Sequence, residues 1–367
     1  MACWTSWPPI SGLQRFESPD SVPSEFELIA RYFTRGTSHT LLGVGDDGAL
    51  IAPTPGRELV VSTDMLVEGT HFLADTDAEA LGWKCLAVNI SDIAAMGAQP
   101  RWATLGINVP STAGFAQPAG YAGAEQCSAK PLLRPAPTFQ WLDEFARGFF
   151  ACADEFGVDL IGGDTTRGPR AFCVTILGEV PAGRALRRSG ARAGDSVWIS
   201  GRPGRAALGL AHLQGRTILD EPRLTNCLAA LHRPQPRVTL GLALHGIASA
   251  AIDVSDGLLA DLGHILEQSA VAARLQIPGL PTAGLERNCL LAGGDDYELL
   301  FTAAAASDAD IAALAGELQL SLTRIGEIVS GPPGELVLCD ADGKDITPAR
   351  RGFDHFMSRP PWAGTVS

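Results

Sequence analysis

The segment IDVSDGL, Ile252 to Leu258, sets two acids three positions apart, between an apolar run and a helical pattern. A single aspartate, or the serine between them, is enough to cap a helix and complement its positive end. Yet acids recur in the same setting. GVGDDG carries Asp46 and Asp47, VVSTD carries Asp64, and VNISD carries Asp92. LIGGD carries Asp164, AIDVSD carries Asp253 and Asp256, and LAGGDD carries Asp295 and Asp296. Taken singly, each is a turn or cap aspartate. Taken together, they predict something else. Two unit charges about 4 Å apart repel by roughly 4 kcal/mol at an effective dielectric near 20. Converging carboxylates therefore protonate or bind cations. Hard oxygen donors without His or Cys partners suit Mg²⁺, which is commonly shared with phosphates. The pattern predicts an acidic, multi-metal site for a phosphorylated ligand, built where loops leave the ends of strands.

Those acids need a scaffold, and the hydrophobic periodicity supplies one. EFELIARYF, Glu25 to Phe33, places Phe26, Ile29, Ala30 and Phe33 on one helical face. Beyond it, strand-like runs (ELVVST, RWATLGINV, VDLIGG, FCVTILGEV) alternate with helical ones (AEALGWKCLAVNISDIAAM, WLDEFARGFFACADEFG). The second half repeats the alternation with SVWIS, GRAALGLAHLQ, AIDVS, GLLADLGHILEQSA, YELLFTAA and DIAALAGELQ. This mixing predicts an α/β (α+β) architecture, and 367 residues suggest about two domains. The polar, basic stretch Val180 to Asp195 is the expected boundary. The expected division is an irregular extension 1–24, a domain 25–180, a second domain 181–358 and a tail 359–367. Residues 111–137, rich in Ala, Gly and Pro, read as a long loop inserted in the first domain.

Composition narrows the partners. The formal charge of −13 disfavours a nucleic-acid backbone or an anionic membrane. The eight cysteines are scattered without CxxC spacing, as in a reducing compartment. No leader pattern and no apolar run of about 18 residues is present, so a cytoplasmic protein is expected. Two stretches imitate nucleotide motifs. GVGDDG fits GxGxxG, but the strand-like, Pro-broken ALIAPTPG follows where a helix must receive pyrophosphate. GRPGRAALGL lacks the GK[ST] of a phosphate loop and predicts a Gly-capped helix start. Neither GxSxG nor HExxH occurs. Among the histidines His71 stands out, seven residues after Asp64.

Taken in order, GDDGAL, STDMLVEGTHF, NISDIAAMGAQP, LIGGDTTRG, RSGARAGD, IDVSDGL, GGDDYELLF and RGFDHF resemble the thiamine-monophosphate kinase family. The resemblance runs from about Glu25 to Phe356, interrupted at 111–137. It implies a two-domain architecture like that of aminoimidazole ribonucleotide synthetase. It also implies a homodimer through N-terminal-domain strands and an N-terminal domain that binds ATP and Mg²⁺. The reaction implied is ATP-dependent conversion of thiamine monophosphate to thiamine diphosphate, the last step of that cofactor's biosynthesis. On the same resemblance, Asp47, Asp64, Asp92, Asp164, Asp253 and Asp256 hold several Mg²⁺ ions, with Ser62 and Thr63 adding oxygens. Gly163, Asp164, Arg188 and Ser255 match positions contacting ATP. His71 matches a substrate contact, and Asp295 and Phe353 match the thiamine end. Asp295 stands where many relatives carry Glu, a longer reach. The acceptor is an already ionised phosphate oxygen, so no side chain is expected to act as general base. Two rivals remain at this stage. A selenophosphate-synthetase-like enzyme requires a reactive Cys with a Lys in a glycine-rich setting, which Cys3 lacks. A non-catalytic phosphate-binding protein is disfavoured because every acidic position is present.

Overall fold

The computed structural model describes residues 25–110, 138–349 and 351–352. The extension 1–24, the loop 111–137, Phe353 and the tail 359–367 lie outside the described residues. The first helix, α1 (Glu25–Leu28), widens at once into a π turn over Ile29–Phe33. The i→i+5 step of a π turn rotates the buried face. Tyr32 and Phe33 are buried, while Phe26, expected on the packed face, is 78% exposed.

A small ribbon, β1 (Thr40–Leu42) with β2 (Leu50–Ile51), flanks the GDDG loop. Next come β3 (Arg57–Val67), α2 (Ala78–Ala95), β4 (Gln99–Val109), α3 (Thr138–Phe156), β5 (Asp159–Arg167) and β6 (Ala171–Pro181). Their strands form a four-stranded sheet in the order β3-β6-β4-β5, antiparallel except for the β4–β5 pair. Period-two alternation is clear on β3. Val60, Ser62, Asp64 and Leu66 lie on the less exposed face, and Leu59, Val61, Thr63 and Met65 on the more exposed one.

The second half runs β7 (Asp195–Ser200), α4 (Arg205–Leu213), α5 (Arg223–His232), α6 (Val238–Ala243), β8 (Ala248–Asp253) and α7 (Leu258–Ser269). It continues through β9 (Ala272–Leu275), α8 (Leu285–Ala292), β10 (Leu299–Ala304), α9 (Asp308–Glu317), β11 (Leu322–Val329) and β12 (Leu336–Leu338). Among the described residues these strands make a six-stranded sheet, β12-β9-β11-β7-β10-β8, in which only β9–β12 is parallel. The architecture is thus mixed α and β with mainly antiparallel sheets. Leu259, Leu262 and Ile265 of α7 pack one face of this sheet against Ile199, Ile252 and Ile325.

Helix α2 joins the two halves. It packs on β3, β4 and β6 on one side and on β8 and α6 on the other. A single core therefore holds Leu86, Ile90, Phe145 and Phe172 together with Trp198, Ala251 and Phe301. Each fully buried side chain of this kind contributes about 1.5–3 kcal/mol. Helix α3 presses against α2 at two glycines. A Cβ at Gly82 would strike the Phe145 carbonyl, and one at Gly148 the Glu79 carbonyl. Because α2 is buried almost all round, its polar residues Lys84, Asn89 and Ser91 must find partners inside the protein.

The aspartates do not all sit at strand ends as the pattern predicted. Asp92 lies within α2, and Asp64 and Asp164 lie within β3 and β5. The runs VVST and LIGG do not stop at the acid, because the strands continue through it to Val67 and Arg167.

Candidate active site

Two strand residues and one helix residue begin the site. On the inward face of β3, Ser62 Oγ donates to Asp92 Oδ2 at 2.5 Å. The Asp64 amide donates to Asn89 Oδ1 at 3.0 Å. Lys84, Val88 and Asp92 recur every four residues and so share one face of α2, the face that borders a cavity of about 510 Å³. Ser91 reaches from α2 to the second half, donating to Asp253 Oδ2 at 2.7 Å.

The wall opposite is made of two stitched loops. Val254–Gly257 leaves β8, and all three N–H groups of Ser255, Asp256 and Gly257 donate to Asp261 Oδ2 at 3.1, 3.1 and 3.0 Å. Neither Ser255 nor Asp256 caps α7. Its N-cap is Gly257, which makes no side-chain cap bond, and Asp261 reaches back to satisfy the loop instead. Ser255 and Asp256 are thereby left to line the cavity. The second loop docks on the first, with Asp295 N bonded to Ser255 O at 2.7 Å and Tyr297 N to Val254 O at 2.9 Å. Asp295 and Tyr297 adopt φ values of 63° and 53°, a left-handed turn that costs energy for non-glycine residues. Asp296 turns away, accepting the Gly204 N–H at 2.7 Å where α4 begins. The phosphate-loop-like stretch is thus a glycine-started helix served by an internal acid.

The cavity therefore gathers Ser62, Asp64, His71 and Asp92 from the first half with Arg188, Asp253, Ser255, Asp256 and Asp295 from the second. The Val67 N–H donates to His71 Nδ1 at 3.0 Å, which leaves the proton of a neutral ring on Nε2. Burial, then Asp92 and Asp256, push the Asp64 carboxyl up to about 6. Burial also raises Asp92, against the opposing pull of the Ser62 hydroxyl and Arg188. Asp253 is raised by burial and by Asp92. The acids therefore sense each other across the two halves of the chain, and negative charge is in excess.

Other expected site residues lie apart. Asp47 is in the exposed loop between β1 and β2, its N–H on Asp46 Oδ1 at 2.8 Å. Thr63 points to the opposite face of β3, its Oγ1 2.9 Å from Thr175 Oγ1. Gly163 and Asp164 are exposed on β5, which pairs with β4 at Leu105 and Gly106. None of these four borders the cavity, and Phe353 lies outside the described residues. Three contributors went unread in the sequence: Lys84, Tyr297 and Asp261. The signal for Lys84 was a lone cation in the apolar helical run GWKCLAV, and for Asp261 an acid in the first turn of α7.

Among the described residues no three His, Cys, Asp or Glu side chains converge as a ready-made metal cage. The donors are nonetheless hard oxygens crowded enough to raise each other's proton affinity. Mg²⁺ is usually held through one or two carboxylates plus substrate phosphates, so this donor set fits it.

The family model for the N-terminal domain of AIR synthase related proteins matches residues 45–180. The thiamine-monophosphate kinase of Salmonella typhimurium is 41% identical over 347 residues, 91% of this chain and 98% of that protein. The crystal structure of the thiamine-monophosphate kinase from Stenotrophomonas maltophilia K279a is 43% identical, with a TM-score of 0.71 over 87% of this chain and 95% of that one. A structure of AaThiL complexed with AMPPCP and TMP is 28% identical, with a TM-score of 0.66 over 85% and 92%.

Proposed function

The chain belongs to the thiamine-monophosphate kinase family, and from that premise we propose how its cavity carries out the phosphorylation. The protein is an ATP-dependent kinase that converts thiamine monophosphate to thiamine diphosphate. The observation that carries the reading is the meeting of Asp64 and Asp92 with Asp253 and Asp256 around one cavity.

Ser62, Asp64, Asp92, Asp253 and Asp256 are the oxygens that would hold several Mg²⁺ ions at the cavity. When bound, Mg²⁺ supplies neutralisation for two anionic phosphates that otherwise repel. Arg188 and Ser255 bind the ATP phosphates, and Gly163 with Asp164 meet the nucleotide. His71, its ring fixed by the Val67 N–H, contacts the substrate, and Asp295 and Phe353 meet the thiamine end.

No side chain acts as general base. A phosphate oxygen of thiamine monophosphate, already ionised at neutral pH, attacks the γ-phosphorus of ATP. The bond between that phosphorus and the oxygen bridging to ADP breaks, and ADP leaves with the electron pair. The chain's own contribution is alignment, from loops fixed by Asp261 and from a helix fixed between two sheets. The transfer is direct and in line. Incubation with γ-labelled ATP and thiamine monophosphate in Mg²⁺ should give labelled thiamine diphosphate and unlabelled protein. Label trapped on an aspartate would overturn direct transfer.

The homodimer forms through the outer face of the four-stranded sheet, where Leu59, Val61 and Met65 are 40%, 58% and 54% exposed. Contiguous exposed apolar side chains of this kind mark interaction surfaces. The protein acts in the cytoplasm without nucleic-acid or membrane partners. Its net charge of −13 disfavours a nucleic-acid backbone and an anionic membrane surface.

A further inference from the structure

Lys84 is a buried cation in a cavity otherwise dominated by acids, and nothing in the phosphoryl transfer uses it. Its side chain is 4% exposed, and its ammonium lies 2.5 Å from Asp295 Oδ2 and donates to the Leu231 carbonyl at 3.0 Å. Asp295 itself keeps 30% of its side chain open. Lys84 comes from α2 of the first half and Asp295 from a loop of the second, so the pair links the two halves of the chain. Along α2, Lys84 and Asp92 share the cavity face but stand eight residues apart, a rise of about 12 Å. The cavity therefore has two ends. Asp92 lies at one with Asp64, Asp253 and Arg188, and the Lys84–Asp295 pair lies at the other.

A fifth uncompensated carboxylate would join the others in attracting protons or metal. An internal ammonium prevents this by supplying a fixed partner of opposite charge. We propose that Lys84 is a positioning residue for substrate specificity: it neutralises Asp295 and holds its partly exposed carboxylate as a hydrogen-bond acceptor for the amino-substituted pyrimidine of the substrate. This rests on the reading of the cavity as a thiamine monophosphate site. A carboxylate paired in this way remains an acceptor without being a cation-binding charge, which separates recognition of the organic end from the handling of phosphates. The short aspartate is suited to the task, because its oxygen is already in reach of Nζ.

The test is steady-state kinetics of ADP release by the full chain with each substrate varied in turn. Lys84→Met should raise KM for thiamine monophosphate by about 10- to 100-fold, the size of one charge-assisted hydrogen bond. KM for ATP and kcat should stay near their starting values. Lys84→Arg, which keeps the charge, should recover part of the loss. Asp295→Asn should raise the same KM, and adding it to Lys84→Met should have little further effect. If Lys84→Met does not fold by circular dichroism, Lys84→Arg and Asp295→Asn decide the matter through the same comparison of the two KM values. Equal increases in both KM values, an unchanged KM for thiamine monophosphate, or additive effects would overturn the proposal. Failure of the unaltered protein to release ADP with thiamine monophosphate would instead overturn the functional reading beneath it.

Discussion

Ser91 donates a 2.7 Å hydrogen bond to Asp253 across the boundary between the two sheets, deep in the wall of the cavity. The bond ties the helix that carries Asp92 to the strand end that introduces Asp256. It also partly offsets the burial and the neighbouring Asp92 charge that raise Asp253. Ser91→Ala leaves a buried carboxyl without that donor, a loss of about 1–3 kcal/mol. Urea unfolding should show the drop in midpoint, together with slower ADP release. An unchanged midpoint would mean the contact contributes nothing to joining the halves.

Asp261 should matter to activity without touching ligand. Its Oδ2 collects three consecutive N–H groups and so sets the course of the loop bearing Ser255 and Asp256. Asp261→Asn keeps the shape but presents a neutral acceptor or, if flipped, a donor. The expected outcome is a fall in kcat/KM of about tenfold, with thermal unfolding still cooperative. Kinetics at wild-type level would show that the loop holds its course without the charge.

The arginine grip on Glu298 is a matter of stability. Glu298 is 3% exposed, and Arg237 binds it through Nε and Nη2, both at 2.6 Å, while Ser200 Oγ donates to it at 2.6 Å. Removing Arg237 strips the bidentate partner from this buried carboxylate and leaves it only the Ser200 hydroxyl and Arg205 Nη2, 3.8 Å away. Arg237→Met should cost about 3–5 kcal/mol in unfolding experiments, and a loss below about 1 kcal/mol would contradict this account.

Acid should loosen the segment that leads to the GDDG loop. Asp159 accepts hydrogen bonds from the Ser38 and His39 amides and the Thr40 hydroxyl. Burial pushes its carboxyl up, but these bonds and His39 outweigh it and hold it below the usual value. A group whose folded value is depressed stabilises the fold above its unfolded value, near about 4. That stability is lost as pH falls from there through the folded value. Melting temperatures of the wild type and Asp159→Asn should therefore converge in acid and separate toward neutrality. A constant gap would rule the mechanism out.

The sequence made the acids legible because their residue type and repetition carry chemical meaning. Asp64, Asp92, Asp253, Asp256 and Asp295 do meet around the cavity. Their scaffolding was harder to read. Helix α2 packs on both sides, so the polar stripe that usually marks a helix is missing, and Lys84 was hidden among apolar neighbours. Strand alternation decided the fate of Thr63, since one residue along β3 is the opposite face of the sheet. Asp164 and Asp47 show the converse limit, because an acid after glycines reveals neither whether the chain turns there, as it does at Asp47, or runs on as a strand, as it does at Asp164, nor which surface it faces. The cap question resolved in favour of neither candidate, since Asp261 acts from within the helix, where an acid is easily taken for a solvated side chain.

Asp92 is the acid at which the central claim is most exposed, standing between Ser62 of β3 and Arg188 of the second half. ADP release should be measured with ATP, thiamine monophosphate and Mg²⁺ for the wild type and Asp92→Asn, alongside circular dichroism. The account predicts release dependent on both thiamine monophosphate and Mg²⁺ in the wild type, and its loss in a normally folded Asp92→Asn protein. Near-normal turnover by that variant would contradict it.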